Sequence, residues 1–293
     1  MAALNRTALI GKLHKVLKKH YKPAPPTVDR PLMEQLLFAC CLENAPYEPA
    51  EEAFARLTTT FFDWNEIRVT TVKELAEVMH MLPAPTEAAT RLKKTLQGVF
   101  ETNYSFELEG LKKQNIGQAI TKLEKMSGRS HFIVGYVTQA TLGGHAIPLD
   151  HGALWVLSIV GLATPAEQKS GTVAGLERAI PKNKGVEFAS LLHQLGADLV
   201  ASPFSQNLHK TLLEIAPDAK ERLPKRQAKK APEPPPKPAK KGKDSQPAAK
   251  AKEPAGKGAV AKKGSDAKPA TKKAVLPTAK KKPSKAVAKP KPR

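Results

Sequence analysis

One stretch constrains the fold of this chain more than any other: Met126 to Asp150, reading MSGRSHFIVGYVTQATLGGHAIPLD. Met126-Ser127-Gly128-Arg129-Ser130 is a tight turn between two helical patterns, and Gly128 is the residue free to take a positive φ there. Ile133, Tyr136, Val137 and Ala140 then recur at helical spacing, so a helix burying one face is expected after the turn. Gly143-Gly144 stops that helix, and a loop through Pro148 delivers Asp150 to the start of the apolar run Gly152 to Val160. A helix opening behind a glycine turn points unpaired N–H groups and its positive dipole end outward, which suits a phosphate. Asp150 has two readings: the N-cap of the next helix, or a fixed negative charge facing a reacting group.

Charge divides the chain sharply. From Glu221 to Arg293 there are 24 Lys/Arg against 5 Asp/Glu, with 13 prolines and no Phe, Trp or Tyr. Such a segment buries too little apolar surface to offset chain entropy and is expected to be disordered. Lysines spaced by Ala and Pro, as in Lys280-Lys281-Lys282-Pro283-Ser284-Lys285, suit phosphates without reading sequence. Residues 1–220 hold 24 basic and 22 acidic groups, so the folded part is close to neutral. Cys40 and Cys41 sit in an apolar helical run and read as buried thiols of a reducing compartment. No stretch reaches the length of a membrane span and no signal peptide is evident, which points to an intracellular protein.

The periodicity is helical throughout, with no alternating strand patterns, and predicts an all-α fold. Expected helices are Thr7 to Tyr21, Pro31 to Leu57, a Thr71-x-x-Glu74 capped start, Thr86 to Phe100, Gly171 to Ile180, Val186 to Val200 and a weaker Asn207 to Ile215. The first is basic and amphipathic, suited to nucleic acid or to docking on the protein's own surface. The histidines show no paired spacing that suggests a metal site.

The turn, the Gly/Pro-rich loop and the aspartate together resemble the helix-hairpin-helix signature of the endonuclease III-like DNA glycosylases. Pro31 to Leu57 is similar to the second helix and following turn of that family. The resemblance implies an all-α fold of two helical lobes, one spanning residues 29–147 with the hairpin at 126–130, the other built from 1–28 and 148–220. It implies a hairpin, here Ser127, Gly128, Arg129 and Ser130, that grips DNA backbone. It also implies that Asn44 stands where the family inserts an amide into the gap left by an extruded base, and that Asp150 is the catalytic carboxylate.

The departures are informative. The position of the family's Schiff-base lysine falls on Phe132, which cannot form one, so a strand-cleaving lyase step is not expected. Ala39 stands where the adenine-removing branch has its glutamate. The arginines that follow the aspartate in the family are absent. With Cys40 and Cys41 alone, the four-thiolate iron–sulfur loop of many relatives cannot be assembled, and no metal or cofactor is expected. Two functions are consistent with these residues. One is a monomeric, nucleoid-associated, monofunctional DNA N-glycosylase of the cytoplasm acting on double-stranded DNA through Asp150. The other is a non-catalytic DNA-packing protein that keeps the fold as an interaction module.

Overall fold

A computed structural model describes residues 2–24 and 29–225, with side chains from Arg6 onward. The basic segment expected to be disordered lies, from Arg226 on, outside the described residues. Among the described residues there are helices and no strands, so the chain is all-α. No described helix is long and apolar enough to cross a membrane.

The buried residues form two clusters. The first lobe holds α2 (Leu32–Leu42), α3 (Tyr47–Thr60), α4 (Trp64–Val69), α5 (Val72–Val78), α6 (Pro85–Asn103), α7 (Ile116–Lys125) and α8 (His131–Ala140). Its axis is α2, in which every residue but Glu34 is buried. A helix apolar all round must be covered on all sides, and α3, α6 and α8 cover this one.

The second lobe holds α1 (Ala2–His20), α9 (His151–Ile159), α10 (Pro165–Ser170), α11 (Leu176–Ala179), α12 (Lys182–Ala201) and α13 (Gln206–Ile215). The chain thus starts in one lobe, builds the other and returns. Helix α1 docks Ile10, Leu13, Val16 and Leu17 into this core, and its Lys18 and Lys19 pair with Glu187 and Glu214. At the centre α9 crosses α12 with backbones in contact: a Cβ on Gly152 would lie 2.5 Å from the Gly196 carbonyl oxygen.

Two expected helices differ in the structure. Pro31 to Leu57 is two helices, because Asn44 adopts φ 64° and Pro46, which cannot donate a backbone N–H, stands at the start of α3. Of Gly171 to Ile180, only Leu176–Ala179 is helical, since Gly171 and Gly175 both take positive φ. The helix α10 was not foreseen, although Thr164 and Glu167 form the reciprocal capping box that marks such a start. The Thr71–Glu74 box forms as expected.

Candidate functional site

The hairpin is fixed from behind by α6. Gly128 has φ 84°, and a Cβ there would lie 2.4 Å from the Lys94 backbone; at Gly98 a Cβ would lie 2.5 Å from the Ser127 oxygen. Backbone therefore touches backbone, and only glycine permits it. Ser130 caps α8, its Oγ accepting from the Ile133 N–H at 3.2 Å. The same hydroxyl donates to Glu43 Oε2 at 2.9 Å. Glu43 is also 3.3 Å from Arg91 Nε, while Arg91 Nη2 donates to the Cys40 and Glu43 carbonyls at the end of α2. Burial pushes the Glu43 carboxyl up from its ordinary range, opposed by Arg91 and Ser130. A protein carboxylate thus already lies at the start of α8, and the Arg129 side chain turns back to donate to the Met126 carbonyl at 2.6 Å.

The link between α2 and α3 reaches across to the second lobe. Asn44 Oδ1 accepts from the His151 N–H at 3.0 Å, and the Asn44 N–H donates to Asp150 Oδ2 at 3.3 Å. The amide of Asn44 is thus held on the first turn of α9. Asn is among the few residues that tolerate the left-handed conformation this requires.

Asp150 itself is fully covered, with a side-chain exposure of 0%. Its Oδ1 accepts from the Ala153 N–H at 2.8 Å and so caps α9. Its Oδ2 lies 3.0 Å from Nδ1 of His193, a residue of α12. The two groups touch without an aligned hydrogen bond. His193 Nε2 donates to the Ala45 carbonyl at 2.8 Å. Burial would push the Asp150 carboxyl up, but the His193 ring, then the Ala153 and Asn44 N–H groups, outweigh it and hold the carboxyl below its usual range. Asp150 is thus fully covered at the lobe junction, with its environment favouring the ionised form.

Aromatic rings line the other side of His193. It stacks on Phe132 with centroids 5.6 Å apart, and Phe132 stacks on Tyr136 at 6.0 Å; Tyr47 meets His193 edge-on at 5.2 Å. Behind this series is a chamber of about 160 Å³. A wider open groove of about 1090 Å³ runs along the opposite face of α8, past Arg129, His131 and Arg178, but neither Asp150 nor Asn44 lines it.

The structure thus brings Asn44 and Asp150 together, with Ser130 joined to them through Glu43, the residue before Asn44. Gly128 and Ser127 stand apart on α6. The sequence reading missed His193, for which the sole signal is a histidine inside the apolar stripe of α12. Among the described residues no group of three His, Cys, Asp or Glu could hold a metal ion.

Compared with protein-family models and with curated proteins, the sequence matches none. The fold does match solved structures. A trapped covalent intermediate of endonuclease III with DNA aligns with TM-score 0.52 at 15% identity, covering 75% of this chain and 99% of that one. A non-covalent endonuclease III–DNA complex aligns with TM-score 0.51 at 17% identity, over 74% and 97%. The chain shares the two-lobed helical fold of these endonuclease III structures.

Proposed function

We propose that this protein binds duplex DNA and excises a base as a monofunctional N-glycosylase, with Asp150 as the reacting carboxylate and no lyase step. The observation that supports it best is the setting of Asp150, fully covered at the lobe junction with its Oδ2 3.0 Å from His193 Nδ1. An N-cap needs no charge, since Ser or Asn serves equally well. Burying an ionised carboxylate costs several kcal/mol unless it is paired and hydrogen-bonded, and here His193 is held in place to pair it. A buried ionised acid beside an aromatic-lined chamber is suited to a sugar that develops positive charge as its base departs. Because Asp150 is covered, reaction requires His193 and Phe132 to part as the nucleotide is extruded. The hairpin Ser127–Ser130 holds backbone phosphate, with Asn44 at the vacated stack once it leaves His151. The basic segment after Glu221 adds affinity without sequence preference.

One observation favours a second reading: Asp150 already accepts from the Ala153 and Asn44 N–H groups and lies against His193, as a purely structural clamp would. In that reading the protein packs DNA and excises nothing. Base release from a panel of damaged duplexes separates the two, comparing the full chain with Asp150→Asn. The expected result is release by the parent alone, leaving an uncleaved abasic site. Equal release by both, or release by neither with DNA binding intact, would overturn the assignment.

A further inference from the structure

Helix α1 is a basic stretch of the near-neutral body whose charge the proposed site does not use. Met1 to Lys22 holds six Lys/Arg and no Asp or Glu. Its apolar positions Ile10, Leu13, Val16 and Leu17 are all buried, so what the helix shows to solvent is mainly charge. Two of its lysines hold it in place: Lys18 pairs with Glu187 of α12 and Lys19 with Glu214 of α13, each at 2.8 Å. Three others, Lys12, Lys15 and Lys22, are exposed and have no carboxylate partner among the described residues. Lys12 and Lys15, three residues apart, are neighbours on one side of the helix. The acids that dock α1 also bring two further lysines to its flanks. Lys184 precedes Glu187 by three residues and Lys210 precedes Glu214 by four, so each shares a face with the acid that pins α1. Both are exposed and unpaired among the described residues, and the charge of Lys184 is close enough to act on His14 of α1.

We propose that the outer face of α1, with Lys184 and Lys210 on its flanks, is a second surface for duplex DNA, one that holds backbone phosphates and reads no sequence. Lysine binds phosphate as a point charge, and each phosphate neutralised releases its counterions. A face that serves solubility alone intersperses both signs of charge. Here Glu187 and Glu214 are each already shared between a lysine and a histidine of α1, and the lysines between and beside them are unopposed. An anionic lipid surface fits less well. A helix lying in a membrane inserts exposed apolar residues, and the exposed positions from Gly11 to His20 are glycine, lysine and histidine. The hairpin offers the contrast: there Arg129 folds back onto the Met126 carbonyl and Glu43 adds a carboxylate, whereas α1 presents unpaired lysines on the other lobe. The proposal rests on the glycosylase reading only for duplex DNA being the ligand. It is tested on undamaged duplex, so a protein that excises no base leaves it standing.

The test uses the full chain and two triple variants, Lys12→Gln/Lys15→Gln/Lys184→Gln and Lys12→Arg/Lys15→Arg/Lys184→Arg, all at exposed positions outside the apolar core. Affinity for a short undamaged duplex is measured against salt concentration. The log–log slope of the Gln variant is expected to be shallower by roughly 2.7, three phosphates at about 0.9 each. The Arg variant keeps the parent slope. A Gln variant with the parent slope, or an Arg variant as shallow as the Gln variant, would overturn the proposal. A second measurement needs no variant: acetylation of the parent's lysines with and without duplex, read by mass spectrometry. The expected result at low salt is protection of Lys12, Lys15 and Lys184, with Lys73 on α5 of the first lobe still reactive. No protection on α1, or equal protection of Lys73, would overturn the proposal. Vesicles of mixed zwitterionic and anionic lipid replace the duplex in a third arm. Vesicle binding that falls in the Gln variant while its duplex slope is unchanged would assign the face to a lipid surface instead.

Discussion

The hairpin and the lobe junction are held together in opposite ways. At the hairpin, backbone lies directly on backbone: Gly128 against Lys94, Gly98 against Ser127, with no buried charge among them. At the junction, buried polar side chains meet beside the Gly152–Gly196 backbone contact, with Asp150 and His193 both nearly inaccessible. Close glycine packing gives a turn whose shape is fixed, with Glu43 and the folded-back Arg129 at its outer side. The buried Asp150–His193 contact instead gives a joint whose energy depends on both members staying in place. Rigidity thus lies at the surface proposed to touch phosphate, and the capacity to open lies where a base would enter.

The largest expected effect is at the junction. His193→Ala leaves Asp150 buried and uncompensated, a loss of about 3–5 kcal/mol, which urea denaturation reads as a lowered midpoint at unchanged slope. A loss below about 1 kcal/mol would mean that the pair contributes little and the joint is held by apolar packing. Gly128→Ala tests the hairpin. Placing a side chain at positive φ costs about 1–3 kcal/mol, and the clash with Lys94 adds to it. DNA affinity should fall together with stability, and unchanged affinity would remove the hairpin from the DNA interface.

The Ser130→Ala change lies between the two regions, because that hydroxyl both caps α8 and holds Glu43. Loss of the cap should cost about 1 kcal/mol. DNA affinity should fall further at low salt if freeing Glu43 raises the negative charge at the hairpin.

Acid sharpens the contrast. Asp150 titrates lower in the folded protein than in the unfolded chain, where carboxyls of its type lie near roughly 3.9. Its contribution to stability is therefore full above about pH 4 and is lost as pH falls through the folded value. The acid limb of a stability–pH curve should be shallower in Asp150→Asn than in the parent, and parallel limbs would show that the carboxyl is not held low. The smallest effect on the fold comes from ending the chain after Lys225, since the described helices all lie before that point. Stability should be unchanged, while the log–log salt dependence of DNA binding flattens by roughly 0.9 for each phosphate that the shortened chain no longer neutralises.

Much of the fold was legible because its signals are local. The glycine of the 126–130 turn, the apolar stripe of α8, the Thr71 box and the carboxylate at the start of α9 are each set within a few residues. The errors occurred where local patterns compete. Between Leu42 and Tyr47 the run Glu43-Asn44-Ala45-Pro46 already offered a helix end, and one left-handed asparagine and one proline make it a break. Between Gly171 and Ile180 two glycines leave a single helical turn. The site was legible in part: Asp150 and Asn44 stand out at their positions, while His193, 43 residues beyond Asp150, carries no spacing that joins it to either.

Sequence alone determined that this chain is helical, where the hairpin turns, that no lysine nucleophile stands at position 132 and that a charge-dense segment follows a near-neutral body. Those properties depend on composition and on interactions within one or two helical turns. Tertiary structure alone decided that Asp150 is covered, that Asn44 is tied to α9, that Glu43 occupies the start of α8 and that the Tyr136 hydroxyl is buried without a partner. Burial and pairing depend on which helices meet, and nothing in the local chain announces a partner that lies far along the sequence, because the entropy of closing the loop between them is spread over every residue in between.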